Sequence, residues 1–581
     1  MKGFFNHVLS SMLGTFLVLV LVVIINLIVI VGLISSANEK TTIEENSVLQ
    51  LDFNNAIADR SSAKPNLSTF KLDKTLSLRS VLKAIADAKT DDRIKGIYLD
   101  LSSVKVGMAS LEEIRNALKD FKTSKKFIIA HAEYYTHKSY YLASIADKVY
   151  LTPEGNVQFT GLSAQIMFFK SMLEKIGVEP EIIRHGKFKS AVEPFMLNEI
   201  SDANKEQTHK YIGSIWNTIL KGISEERGIS TEKLNSFADS LLIRDDESSK
   251  KLNLVDDLLY KDQIYDKLKK LSDNDELELV SLTDYLASTK NIDDILNPKD
   301  NNIAIIFAEG EIVNGKGGDD KIGSETLSKA IRDAREDESV KAIVFRINSP
   351  GGSALASEVI WRETVLAKKA KPFYVSMGNV AASGGYYIAC MADTIVAEPN
   401  TITGSIGVFG LLFNAKELMR NIGVNINSVN TNSYSDMGSP ARKMTNYERG
   451  VIQNGVEDIY SGFVSHVAEG RGMKVAAVDS IGQGRVWSGE DAKQIGLVDV
   501  LGGLETTINF AVKKAGLKDY GIKTYPEKDK MTMIIEGMIS QTKASIIEEE
   551  LGSSYIYYKR LKDVQNIQGI QTRMPYFVDI K

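Results

Sequence analysis

AASGGYYIACMAD, Ala381 to Asp393, has an altered echo earlier in the chain: YTHKSYYLASIAD, Tyr135 to Asp147. The two stretches share Tyr-Tyr, two alanines and the closing Asp in register, but Ser383-Gly384-Gly385 in one is His137-Lys138-Ser139 in the other. The offset of 246 residues recurs on both sides of the pair. Ile94-Lys95-Gly96-Ile97 meets Val340-Lys341-Ala342-Ile343, Glu112 meets Glu358, Pro153 meets Pro399, and Gly177-Val178 meets Gly423-Val424. Thr160-Gly161 meets Thr403-Gly404 only across a three-residue gap. Matches held in register this far indicate a duplicated domain.

Within each copy, short β-branched runs alternate with amphipathic stretches. Val48–Phe53, Gly96–Leu101 and Phe127–Ala130, and their counterparts Ile303–Phe307, Ala342–Ile347 and Phe373–Met377, read as buried strands. Leu111–Phe121 and Ala356–Lys369 carry apolar residues at helical spacing. Strands alternating with helices predict an α/β fold with mainly parallel sheets. The expected division is a stub and apolar segment over 1–45, a first repeat over 46–195, and a Lys-, Glu- and Asp-rich helical insertion over 196–300. A second repeat over 301–525 follows, and then a tail over 526–581 with an apolar patch from Met531 to Ile539 that reads as a docked helix, membrane contact being the rival reading.

Composition narrows the function classes. A chain of 581 residues with 43% hydrophobic and 25% charged residues is ordinary globular material. The net charge of −5 gives no basic footprint for nucleic acid. The one cysteine, Cys390, excludes an intrachain disulfide and a Cys-rich metal site, and the six histidines form no zinc motif. Met12–Ile34 is an uncharged run of 23 residues, long enough to span a hydrocarbon core of about 30 Å. A cleavable signal peptide ending at Ser35-Ser36-Ala37 is the rival reading, but its apolar region would be only about 7–15 residues. A retained anchor is therefore expected, its N-terminus in the cytoplasm by the placement of Lys2 and the rest of the chain on the other side.

Two turns of the second copy carry candidate chemistry. Strand Ala342–Ile347 runs into Asn348-Ser349-Pro350-Gly351-Gly352, where paired glycines permit close ligand approach and free amides could hold an oxyanion. The first copy has Ser102-Ser103-Val104-Lys105 there, without the glycines. One strand later, Ser383 falls at the start of a helix, where unpaired N–H groups favour negative charge. It reads either as an ordinary N-cap serine or as the nucleophile of an acyl-transfer site. No histidine lies near it in sequence. A lysine with a lowered pKa is the alternative base, and GKFKSAVEPF, Gly186 to Phe195, is the one unusual lysine-bearing stretch. Lys189 there is matched by Ser435 in the second copy; an exposed loop lysine is the competing reading.

Together, GKFKSAVEPF, NSPGG, ASGGYYIA and TGSIGVFG resemble the long, tandem-domain membrane form of the SppA signal peptide peptidase family, peptidase family S49, over nearly the whole chain. The resemblance implies tandem ClpP/crotonase-like domains and a serine peptidase needing no cofactor or metal. It implies Ser383 as nucleophile, Lys189 as general base and Ser405 as the residue orienting the lysine. The amides of Gly384 and of Gly351 or Gly352 would then hold the oxyanion. It further implies cleaved signal peptides and other short or unfolded peptides as substrates, a bacterial inner-membrane location with the catalytic domains outside the cytoplasm, and a homotetramer. Lys187 and Lys138 are the next candidates for the base, while Cys390 is expected to be buried and inert. Two rivals remain at this level: a crotonase-type acyl-CoA enzyme, and a non-catalytic membrane scaffold.

Overall fold

The computed structural model describes Gly3 and residues 10–21, 42–66, 71–289, 299–318, 320–526 and 570–574. The first copy is built on a fully parallel six-stranded sheet. Its spatial order is Asp257–Leu258, Lys148–Val157, Phe127–Tyr135, Ile94–Val104, Ser47–Phe53 and Leu279–Ser281. The second copy repeats that order with Val500–Leu501, Thr394–Ala397, Phe373–Ala382, Val340–Ser349, Asn302–Glu309 and Gly521–Tyr525. The Val and Ile runs of the inner strands are buried on both faces, as a helix-covered parallel sheet requires.

The expected insertion over 196–300 is corrected by this topology. Helix Asp202–Arg227 is matched by Asn446–Arg471, 244 residues later and equal in length at 26 residues. Lys261–Ser272 is likewise matched by Leu504–Ala515, and the short strands Asp257–Leu258 and Leu279–Ser281 close the two edges of the first sheet. These elements complete the first repeat. They escaped the sequence because strands of two or three residues carry no alternation. Helices with one charged face also look compositionally like linker.

The expected membrane span falls only partly on described residues. Residues 10–21 are helical, with Met12, Leu13, Phe16 and Leu17 exposed; 22–34 lie outside the described residues, as does the patch Met531–Ile539. Among the described residues no helix is long and apolar enough to cross a membrane.

Three of the contacts between the copies fix how they meet. Arg346, fully buried, donates to Asp59 at 2.8 Å and to Glu113 at 2.8 Å, both from the first copy. Glu113 in turn accepts the N–H of Leu504 at 2.7 Å, at the start of a second-copy helix. Burial raises the Glu113 pKa against the pull of Arg346. Helix Met108–Phe121 begins at Gly107, which has no side chain to cap it. Asn379 of the other copy supplies the cap, its Oδ1 accepting Ala109 N–H at 3.0 Å and Ser110 N–H at 3.2 Å. Finally, strand Glu179–Arg184 leaves the first copy and pairs antiparallel with Phe409–Asn414 of the second, from Arg184 opposite Phe409 to Glu179 opposite Asn414. That pairing carries the segment after Arg184 onto the other repeat.

Candidate active site

Strand Phe373–Ala382 delivers Ser383 to the N-terminus of helix Gly384–Ala389. Ser383 has φ 55° and ψ −114°, a conformation that L-residues rarely adopt, and its side chain makes no capping bond. Its N–H donates to Gly404 O at 2.8 Å. The hydroxyl is thereby turned away from its own helix and into the junction between the copies.

Lys189 meets it there. Its Nζ lies 2.8 Å from Ser383 Oγ, 3.1 Å from Ser405 Oγ and 3.2 Å from Ser405 O. Lys189, Ser383 and Ser405 each have 0% exposure. Burial strips water from the amine and lowers its pKa well below the ordinary lysine value. The three oxygens around it, two hydroxyls and the Ser405 carbonyl, are all uncharged, so none of these three neighbours supplies a counter-charge to oppose that shift. Ser405, with φ 52°, is fixed by its own N–H donating to Arg485 O at 2.7 Å.

The glycines expected to form an oxyanion site are adjacent but not equivalent. A Cβ on Gly351 would lie 2.7 Å from Gly384 N and 2.0 Å from Thr572 O, and its φ of 95° also favours glycine. The Gly351 N–H is occupied by Ser349 Oγ at 3.1 Å. Gly352 is the ladder partner of Thr572. Among the described residues, no group of three or more His, Cys, Asp or Glu side chains is placed to hold a metal ion.

A profile of Peptidase family S49 matches residues 119–275 and 366–518, one stretch in each copy. The chain is 33% identical to Protease 4 of Haemophilus influenzae, over 90% of this chain and 88% of that protein. It is 34% identical to Protease 4 of Salmonella typhi, over 94% and 90%.

The chain belongs to peptidase family S49.

As an S49 member it is a serine protease. It is also 32% identical to a chloroplastic serine protease SPPA of Arabidopsis thaliana, over 92% of this chain and 78% of that protein.

The other lysines considered are placed elsewhere in this S49 chain. Lys187 is exposed over the Phe188 ring at 5.3 Å, and Lys138 donates to Val106 O at 3.3 Å. His137, at the register position of Ser383, is buried and accepts the Thr160 N–H through Nε2 at 3.1 Å. Ser435, the register mate of Lys189, is exposed in a turn. Cys390 is buried, and burial pushes its thiol pKa up to about 12.

Several supporting residues of the S49 site were not anticipated from the sequence. Gln207 donates to Phe188 O at 3.1 Å and Ser190 Oγ at 2.7 Å, and accepts the N–H of Val486 at 3.2 Å. It therefore clamps both flanks of Lys189 to the second copy. Arg184 donates to Lys189 O at 3.1 Å. Gly484, with φ 83°, lets the Lys189 backbone approach; a Cβ there would sit 2.6 Å from Lys189 Cα. One signal was available: Asn204, Gln207 and Thr208 continue the buried stripe of Tyr211, Ile215 and Ile219 at helical spacing, so polar side chains occupy core positions.

Proposed function

We propose that this chain is a Ser-Lys endopeptidase that hydrolyses short or unfolded peptides, cleaved signal peptides among them, beside a membrane. The 2.8 Å approach of Lys189 Nζ to Ser383 Oγ in a site closed to water carries the reading. Neutral Lys189, held by Ser405, takes the hydroxyl proton as Ser383 Oγ attacks a peptide carbonyl. The Gly384 amide, at a helix N-terminus, holds the developing oxyanion together with an amide of the Gly351-Gly352 turn, each donor worth about 2.7–4 kcal/mol in other hydrolases. The resulting ammonium gives its proton to the leaving amine. Water, deprotonated by the restored Lys189, attacks the acyl carbonyl, and the ammonium so formed returns the proton to Ser383 Oγ as the C–O bond breaks and the acid leaves.

The same reading takes Met12–Ile34 as the anchor that keeps the catalytic repeats at the outer face of a bacterial inner membrane, and a homotetramer as the assembly. Its support is the length and apolarity of that run and the resemblance stated above. Peptide hydrolysis by the intact chain, by Ser383→Ala and by Lys189→Ala, each also treated with a fluorophosphonate probe that labels Ser383 where it is present, is the test. The wild type hydrolyses and is labelled, and neither variant hydrolyses. An active Lys189→Ala enzyme would overturn the dyad.

A further inference from the structure

Residues 482–488 of the second copy run between the two halves of the site. Their backbone holds the serine side: Arg485 O accepts the Ser405 N–H at 2.7 Å, and the Gly484 N–H donates to Ile406 O at 2.7 Å. Val486 and Trp487 lie opposite Gly404 and Thr403 in an antiparallel ladder. The same stretch holds the lysine side. Gln483 O accepts the N–H of Phe188, the residue before Lys189, at 3.0 Å.

The Arg485 side chain joins these two sides. Its guanidinium carbon lies 4.6 Å from the centre of the Phe188 ring and 4.6 Å from the Trp487 ring. Trp487 packs on the turn that carries Ser405, since a Cβ on Gly404 would lie 2.7 Å from Trp487 Cδ1. A guanidinium is planar and weakly hydrated, so it fills a gap between two ring faces where a compact ammonium would keep its water. Arg485 Nη2 also reaches Glu206 at 2.9 Å, but that carboxylate is 53% exposed, and an exposed ion pair holds little. Among the described residues the buried Arg485 Nε has no hydrogen-bond partner. The ring faces therefore do most of the holding.

The first copy shows the same position without this duty. Ser488 and Asp245 cap matching six-residue helices, Gly489–Gln494 and Asp246–Lys251. That register sets Leu242 against Arg485 and Arg244 against Trp487. Leu242 is exposed, and Arg244 donates to Leu241 O at 3.0 Å. The copy that lacks the nucleophile also lacks the stacked cation. The other charged groups around the lysine segment are Arg184, Lys187 and Glu193 on its own stretch of chain, and Glu457, which meets His185 at 2.5 Å. Arg485 differs from them in touching both Phe188 and the ring that packs on the Ser405 turn.

We propose that Arg485 is a positioning residue: stacked between Phe188 and Trp487, it fixes the segment that carries Lys189 against the turn that carries Ser405 and seals their junction against water. Its effect on catalysis rests on the Ser-Lys peptidase reading. Lys189 owes its lowered pKa to burial, so a leak at this junction lets water reach the amine and returns it toward the ordinary lysine value.

The test reads the clamp with and without catalysis. In the full-length Ser383→Ala protein, hydrogen exchange of the Phe188 and Ser190 amides is compared before and after Arg485→Ala. The alanine change is expected to speed it by about tenfold or more, while exchange in strand Val340–Ser349 stays the same and guards against general loss of fold. With Ser383 present, Arg485→Ala is expected to lower kcat for a short peptide by about tenfold or more with KM held. The rising limb of its pH profile should also move upward. Arg485→Lys keeps the charge but not the planar stack, and it serves if the alanine protein does not fold. The same shifts are expected there at smaller size, which separates hydration of the amine from loss of a nearby charge. Added ethylguanidinium, but not ethylammonium, should restore part of kcat in Arg485→Ala. Unchanged exchange and an unmoved pH limb in either variant overturn the proposal, even if kcat falls. Faster exchange without hydrolysis by any Ser383 protein would retain the clamp and refute the peptidase reading.

Discussion

Helices His137–Ala143 and Gly384–Ala389 occupy the same place in the two copies, yet their first turns are built in opposite ways. In the first copy Thr136 has extended backbone and caps the helix conventionally, accepting the Ser139 N–H at 3.2 Å while Ser139 returns the bond to the Thr136 N–H at 2.7 Å. His137 then begins the helix and is buried as a core residue. In the second copy Ser383, the register mate of His137, is displaced into a positive-φ conformation, and its hydroxyl serves Lys189 instead of the helix. The bodies of the two helices stay alike, as does the bond from each first tyrosine: Tyr140 donates to Leu254 O and Tyr386 to Leu497 O. One repeat spends its helix terminus on stability and the other on geometry.

The strongest way to break that contrast is to remove the dyad. Ser383→Ala and Lys189→Met are each expected to lower kcat for peptide hydrolysis by about 10⁴-fold or more, measured with a fluorogenic peptide. Ser405→Ala leaves both partners but frees the amine to swing, and about 10²-fold is expected from misplacement. Arg346→Ala strands Asp59 and Glu113 as buried carboxylates and is expected to destabilise the chain by about 3–5 kcal/mol in denaturant unfolding.

The lysine also predicts a pH signature. Its folded pKa lies below its unfolded one, so between those two values the unfolded chain binds the extra proton and stability rises with pH. Lys189→Met is expected to remove that slope and to be more stable than wild type near neutrality, the gap closing as pH approaches the ordinary lysine value. Activity should rise through the lowered pKa, well before pH 10.5, as the amine loses its proton. A peptidase profile whose rising limb lies at the ordinary lysine value would contradict the buried neutral base. The smallest effect belongs to the caps themselves. Thr136→Ala is expected to cost about 1 kcal/mol by losing its cap. Ser383→Gly should instead stabilise by about 1 kcal/mol by relieving positive φ, while remaining inactive.

Much of the architecture was legible from the chain because it is written locally. Runs such as Ala342–Ile347 proved to lie within longer strands, here Val340–Ser349, and Leu111–Phe121 within helix Met108–Phe121. Periodicity survives in short windows, so element types were recoverable while their ends moved by a few residues. Residues Ser383, Lys189 and Ser405 were named from motifs, and the fold brings all three together. What was not legible lacks a local pattern. The two-residue edge strand Asp257–Leu258 is defined only by its neighbour, and Gln207 looks like any polar residue of a long helix until Val486 and Phe188 are placed around it.

The sequence by itself determined that a domain was duplicated, that its elements alternate, and that only the second copy kept Ser-Gly-Gly while only the first kept Lys189. Those are properties of residue types at fixed spacing. Tertiary structure alone decided that Glu179–Arg184 leaves its own repeat to pair with Phe409–Asn414, closing the 194 residues between Lys189 and Ser383 to 2.8 Å. It also decided that Lys189 is fully buried, which lowers its pKa well below the ordinary lysine value, and that Ile570–Met574 lies across the turn beside it. Strand pairing and desolvation depend on groups far apart in the chain, and the environment they create exists only once both repeats have packed.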